Sequence, residues 1–319
     1  MSEKCECVYV RKVVIVGCGF VGSASAFALM QSGLFSEMVL IDVDKDRAEG
    51  EAMDISHGAS FAGPMKIYAG GYEDVGDAAI IVITAGANQK PNETRLDLVQ
   101  KNAKIMTDVV TQIKEQEYKG ILLIVSNPVD IMTQVAMEVS GFPEHRVFGS
   151  GTVLDSARLR YHLGQHLGVD SRSVHAFVIG EHGDSEIAAW SSANVSGVPL
   201  NSFCEMRGHF NHEGNTESIE EQVKNSAYEI IAKKDATYYG IAMVVKRICQ
   251  AIVRDEKSIF PISLRMHGEY ALEDVVLSMP AIVGARGIET TIPISLDEKE
   301  VSRLHESAEM LRETRKEIR

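Results

Sequence analysis

A chain of 319 residues, 45% hydrophobic and 24% charged, is long enough for about two domains with a core each. Its formal charge of −13 argues against a nucleic-acid partner, which would need a basic stripe, and any bound anion must be met by locally placed arginines. The longest apolar runs, such as ILLIV at 121–125, are far too short to cross a bilayer, so no membrane association is expected.

In chain order, the opening MSEKCECVYVRKVV mixes charged with apolar residues and holds no stretch resembling a secretory signal. Cys5 and Cys7 stand there without further ligands, and the remaining cysteines at 18, 204 and 249 complete no disulfide framework. No metal and a reducing, cytoplasmic location are expected. Short β-like runs follow: KVVIVG (12–17), MVLID (38–42), KIYAG (66–70), AAIIVITAG (78–86), ILLIVSN (121–127) and RVFGSG (146–151). They are continuously apolar, as strands buried on both faces of a parallel sheet should be. Helical patterns lie between most of them. The clearest covers about 94–117, where Leu96, Val99, Ala103, Met106, Val110 and Ile113 recur at steps of three and four. This alternation predicts an α/β fold with a doubly wound parallel sheet over residues 1–150.

After about residue 150 the pattern changes. A helix is expected near 153–168, a strand over VHAFVIG (174–180), a polar segment at 201–219 and one long helix at about 217–251. FPISLRM (260–266), DVVLSMPAIVG (274–284) and GIETTIPI (287–294) read as an antiparallel meander, and a closing amphipathic helix aligns Val301, Leu304, Ala308 and Leu311. Residues 151–319 thus read as a second, α+β domain, one helix of which can return to pack on the first.

Gly17, Gly19 and Gly22 form a G-x-G-x-x-G between the first strand and the first helix. The spacing serves a tight turn, close approach of backbone to a pyrophosphate, and close packing of helix on strand. Asp42 ends the next strand, where a carboxylate can accept from ribose hydroxyls and repel the additional phosphate of NADP; NAD is the expected cofactor. A generic strand-end acid is the plainer alternative. Further on, LDSARLR places Asp155 and Arg158 three apart on one helix face, the spacing of an ordinary surface ion pair. Arg160, two residues beyond, projects to nearly the opposite side. In VIGEHGDSE, His182 follows an apolar strand with glycines at 180 and 183 to admit a ligand. Histidine exchanges protons near neutral pH, and a buried acid such as Asp155 could fix its tautomer; a solvated loop histidine is the plainer alternative. The loop AGANQKPNETRLD (85–97) gathers Gln89, Lys90 and Arg95 in a connection whose backbone needs only Gly, Asn or Pro.

Together, GCGFVG, AGANQKPNETRLDLVQKN, SNPVD, LDSARLR, IGEHGDSE, ATYYGIAM and LSMPAIVGARGI resemble the NAD-dependent L-lactate dehydrogenase family, in its order and over essentially the whole chain. The likeness is to bacterial members and, through Arg160 and His175, to the subgroup activated by fructose 1,6-bisphosphate. The resemblance implies a Rossmann NAD domain (1–150), a catalytic domain (151–319), and a cytoplasmic homotetramer. It also implies reversible hydride transfer between NADH and pyruvate, giving (S)-lactate in the last step of a homolactic-type fermentation. On this likeness His182 protonates the carbonyl oxygen, Asp155 holds His182, and Arg158 grips the substrate carboxylate through two prongs. Asn127 would hydrogen-bond near the reacting oxygen, Thr237 would line the pocket and Ile241 would wall the nicotinamide.

The 85–97 loop becomes a lid. In it, Arg95 would polarise the carbonyl and Gln89 would accept the methyl of pyruvate, where the related malate dehydrogenases carry an arginine for a second carboxylate. The implied cofactor set is Gly17, Gly19, Phe20, Val21, Gly22, Asp42, Lys45, Gly86, Ala87, Asn127 and Ile241. Arg160 and His175 would hold effector phosphates between subunits; seven extended residues put His175 about 20 Å from His182, too far to share one small site. Malate or other 2-hydroxy acid dehydrogenases, and a non-catalytic NAD-binding protein, stand as the alternatives.

Overall fold

A computed structural model describes residues 11–87 and 94–318, with Arg95 represented by its backbone alone. Cys5, Cys7, Gln89 and the Arg95 side chain therefore lie outside the described residues. Strands β1 (Lys12–Val16), β2 (Glu37–Ile41), β3 (Lys66–Ala69), β4 (Ile80–Ile83), β5 (Ile121–Ile124) and β6 (Val147–Gly149) pair in parallel. Helices α1 (Phe20–Met30), α2 (Lys45–Gly58), α3 (Arg95–Glu115) and α4 (Val129–Ser140) connect them. With both faces of the sheet covered, β1, β4 and β5 are buried along their whole length, which is why they read as unbroken apolar runs. Thr94 opens α3 by accepting from Asp97 N–H while Asp97 reaches back to Thr94 N–H, a reciprocal cap that fixes where the 85–97 loop ends.

The second half begins with α5 (Val153–Leu167) and the short strands β7 (Val174–His175), β8 (Val178–Ile179), β9 (Ile187–Ala188), β10 (Asn194–Val195) and β11 (Val198–Pro199). Helices α6 (Leu200–Met206), α7 (His212–Lys234) and α8 (Tyr239–Val253) follow, then β12 (Ser258–His267), β13 (Glu273–Gly284), β14 (Gly287–Thr291) and α9 (Glu298–Lys316). The expected meander is present, but it does not stand apart. Ser263 of β12 pairs with Gly149 of β6, so among the described residues nine strands make one sheet in the order β14-β13-β12-β6-β5-β4-β1-β2-β3. The main core runs continuously along it, and a smaller cluster around Leu159, Leu163, Val174, Ile219 and Val223 lies between α5 and α7.

Three expectations need correction. The long helix at 217–251 is two helices, because Asp235 turns left-handed (φ 69°) and closes α7 with its N–H on Ile231 O. Helix α7 also starts earlier than expected, at His212 with Asn211 as its cap, inside the polar segment at 201–219, which holds α6 as well. VHAFVIG is not a single strand: β7 pairs with β10 while β8 pairs with β9 in a different sheet, so no continuous extended run separates His175 from His182. No helix among the described residues is long and apolar enough to cross a membrane.

Candidate active site

Strand order reverses between β1 and β4, the switch point where open α/β sheets receive ligands. The β1–α1 loop lies there. Gly17 has φ +101°, and a Cβ on it would stand 2.5 Å from the backbone nitrogen of Ala85. A Cβ on Gly22 would strike Gly17 O at 1.8 Å, so α1 approaches β1 only because that position has no side chain. Gly19 differs: among the described residues, its chain neighbours aside, no atom lies within 4 Å of where its Cβ would be. It caps α1 without a side-chain hydrogen bond, and the first-turn N–H groups, those of Phe20 and Val21 among them, lack intrahelical acceptors. An open cradle at a helix start fits a pyrophosphate. Beside it, Asp42 accepts from Cys18 N–H at 2.6 Å and from Asp44 N–H at 2.9 Å, which ties the acid at the end of β2 to the phosphate loop. Lys45 stands exposed in the first turn of α2.

Across the switch point, Thr84 donates to Gly17 O at 2.7 Å. Buried Asn102 of α3 accepts from Ala87 N–H at 2.8 Å and donates to Asn127 O at 2.9 Å. Sequence reasoning missed Asn102, which braces the backbone beyond β4, next to Gly86, against that beyond β5. The Asn127–Pro128 bond is cis, and Asn127 itself is exposed beyond the C-terminal end of the interior strand β5. Although α8 belongs to the second half, it packs on α1. The Phe20 ring stacks on Tyr238 with centroids 5.4 Å apart, and a Cβ on Gly240 would stand 2.9 Å from Leu154 Cδ1. This seats Thr237 and half-buried Ile241 between the phosphate loop and the start of α5.

α5 supplies the charge. Asp155 is 2% exposed and serves two cations at once: His182 Nδ1 lies 2.6 Å from Oδ2, and Arg158 Nη1 donates to Oδ1 at 2.7 Å. Burial alone would disfavour the Asp155 carboxylate, yet the charges and hydrogen bonds of His182 and Arg158 hold its pKa below the usual carboxylate range. Burial likewise opposes a charged His182, and the charge and hydrogen bond of Asp155, with Asp130 and Glu186 beyond, outweigh it and raise the imidazole to about 9. Asp155 occupies Nδ1, which leaves Nε2 of this part-exposed ring for a substrate.

The loop that carries His182 is pinned on both sides. Gly180 exchanges backbone hydrogen bonds with Ser278 of β13, and Glu181 N–H donates to Ser307 Oγ at 2.8 Å. His182 N–H donates to Asp130 Oδ2 at 2.7 Å, while Ser263 donates to Asp130 Oδ1 at 2.6 Å. Asp130 is almost wholly buried, which lifts its carboxyl to about 6. Sequence reasoning missed Asp130, and also Glu186, buried beside His182. SNPVD contains Asp130 and offered a signal only once its distant partners are known.

Arg160 does not join this group. Its Nε donates to Ala176 O at 2.9 Å and its guanidinium lies over the Phe177 ring, next to exposed His175. The two are thus near neighbours on a face apart from the His182 cluster.

The family model of the lactate/malate dehydrogenase NAD-binding domain matches residues 11–149, and that of the alpha/beta C-terminal domain matches 152–319. The L-lactate dehydrogenase of Acetivibrio thermocellus is 49% identical over 95% of this chain and 96% of its own length. L-lactate dehydrogenase 1 of Clostridium acetobutylicum is 48% identical over 95% and 97%. Among solved structures, a lactate dehydrogenase from a Medee basin deep-sea metagenome library superposes with TM-score 0.94 at 46% identity, covering 97% of this chain and 98% of that one. The ligand-bound minor L-lactate dehydrogenase of Enterococcus mundtii gives 0.94 at 43% identity, covering 97% and 99%. With the two family models matched over residues 11–149 and 152–319, the chain belongs to the lactate/malate dehydrogenase family.

Proposed function

We propose that the chain is an NAD-dependent L-lactate dehydrogenase, reducing pyruvate to (S)-lactate and running the reverse reaction. The observation that carries this is the sharing of buried Asp155 between His182 and Arg158. The arrangement keeps a proton on the imidazole at neutral pH beside a guanidinium able to take a carboxylate. Arg158 binds the pyruvate carboxylate and orients the keto group toward His182. His182 Nε2 then gives its proton to the carbonyl oxygen, and Asp155 stabilises the imidazolium until that moment. In lactate oxidation His182 takes the hydroxyl proton back. Gly17, Gly19, Phe20, Val21, Gly22, Asp42, Gly86, Ala87, Asn127 and Ile241, with Lys45, would hold the nicotinamide cofactor, which when bound would provide the hydride as NADH or take it up as NAD+.

The lid of residues 85–97 closes over this site, with Arg95 polarising the carbonyl and Gln89 selecting a methyl group over a second carboxylate. Residues 1–150 thus serve the cofactor and 151–319 the substrate, except that α8 spans both. Arg160 and His175 form half of a site for fructose 1,6-bisphosphate in a cytoplasmic homotetramer. Exposed Met53 on α2 and Tyr239 and Met243 on α8 suit such subunit contacts. Steady-state oxidation of NADH with pyruvate and oxaloacetate side by side tests the activity: pyruvate should have the higher kcat/KM, and preference for oxaloacetate would overturn it. Adding the bisphosphate should lower the half-saturating pyruvate concentration; an unchanged curve would remove the effector site.

A further inference from the structure

Glu186 has no place in the mechanism above, yet it is 5% exposed and offers a carboxylate oxygen within 4.8 Å of ligand atoms of both Asp155 and His182. Its backbone is fixed, with N–H on Gly183 O and O accepting from Arg303. Among the described residues no hydrogen bond or ion pair reaches its carboxyl. The groups around it are charged on every side: Asp155 and Arg158 on α5, Lys224 on α7, and His182 in its own loop. Lys224 is drawn toward Glu220 at 3.4 Å, and Arg303 of α9 also pairs with Glu220. Asp130 faces His182 from α4. Two carboxylates this close in a buried site do not both ionise readily, and Asp155 is the one that holds two cationic partners.

We infer that Glu186 sets the charge of the substrate site, a step that rests on the activity proposed above. With its proton on, the His182–Asp155–Arg158 group keeps one surplus positive charge, which matches a monocarboxylate anion; with the proton lost, that surplus is cancelled. Burial, then the nearby Asp155 charge, push this carboxyl up to about 8, so it is neutral below that pH and ionised above it. The cluster of Asp155, His182 and Glu186 sheds its protons in steps that belong to the group. Pyruvate affinity should therefore fall with alkaline pH more steeply than loss of the His182 proton alone would cause.

The test compares wild type with Glu186→Gln, taking within each protein the ratio of the pyruvate KM at about pH 9.5 to that at about pH 7. The wild-type ratio should exceed the variant's by about tenfold, the factor that one pKa unit of interaction represents, and Glu186→Asp should restore much of the steepness. Equal ratios in wild type and Glu186→Gln would overturn the inference. Infrared titration of the NADH complex gives a reading independent of turnover. A protonated-carboxyl band should disappear between about pH 7 and pH 9 in wild type and be missing from Glu186→Gln; a wild-type spectrum lacking it would overturn the inference whether or not the variant folds. Absence of pyruvate turnover in wild type would instead refute the proposed activity, and the infrared titration would still decide the protonation of Glu186.

Discussion

Replacing Asp155 with Asn keeps the shape of the side chain and removes its charge. In the folded protein Asp155 raises His182 to about 9 against the opposing effect of burial. The gap from the ordinary 6.5 represents roughly 3 kcal/mol in favour of the imidazolium, to which Asp130 and Glu186 also contribute. Without that charge burial dominates, and His182 should titrate at or below its ordinary value. Arg158 at the same time exchanges a charged carboxylate acceptor 2.7 Å away for at most a neutral amide oxygen, a weaker hold on its position at the substrate. At neutral pH kcat/KM for pyruvate should fall about a hundredfold or more, consistent with the loss expected when a general acid is both neutralised and misoriented. The assay is the pH profile of kcat/KM, whose alkaline limb should move acidward by about two units in Asp155→Asn. The effect on stability has the same origin. A histidine whose folded pKa is raised stabilises the fold fully below about 6.5, and that contribution is lost as pH rises through about 9. Asp155→Asn should therefore lose stability most at neutral and lower pH, as far as the His182 pair is responsible. An unmoved alkaline limb in an active variant would refute the electrostatic reasoning.

The phosphate loop separates two glycines. Gly19→Ala should weaken NADH about tenfold or more in a fluorescence titration while leaving Tm within a few degrees, because its Cβ meets nothing among the described residues. Gly22→Ala should lower Tm itself, because its Cβ strikes Gly17 O; the reverse ranking would contradict the cradle. Asp130→Ala orphans His182 N–H and the Ser263 hydroxyl, which should cost about 2–5 kcal/mol by calorimetry and reduce kcat as well; an unchanged Tm would contradict the pinning. Gln89→Arg should shift kcat/KM toward oxaloacetate by about a hundredfold or more relative to pyruvate, and an unshifted ratio would deny Gln89 the selector's role.

Local signals carried much of the architecture. Unbroken apolar runs marked β1 to β6, and the G-x-G-x-x-G marked the switch point, because sheet burial and a close backbone approach each restrict nearby residue types. Other features were set by distant partners. Asp235, Ala236 and Thr237 interrupt a helical pattern without a glycine or proline to announce it, so α7 and α8 read as one. β7 and β8 divide because their partners, Asn194 and Ala188, lie beyond the His182 loop. The meander joins the main sheet through a single pairing of residues 149 and 263, which no periodicity reveals. In the site, Asp155, Arg158 and His182 stood out by type and spacing. Asp130 gains its meaning from His182 and Ser263, and Glu186 only from the burial that places it beside two other titrating groups.

The proposed catalysis depends on one convergence, in which the imidazole held by Asp155 and the guanidinium of Arg158 meet the same substrate. A crystal structure with NADH and oxamate measures it directly. His182 Nε2 should lie within hydrogen-bond distance of the inhibitor's keto-like oxygen, and Arg158 should contact both oxygens of its carboxylate. Oxamate bound with either side chain turned away from it would contradict the claim.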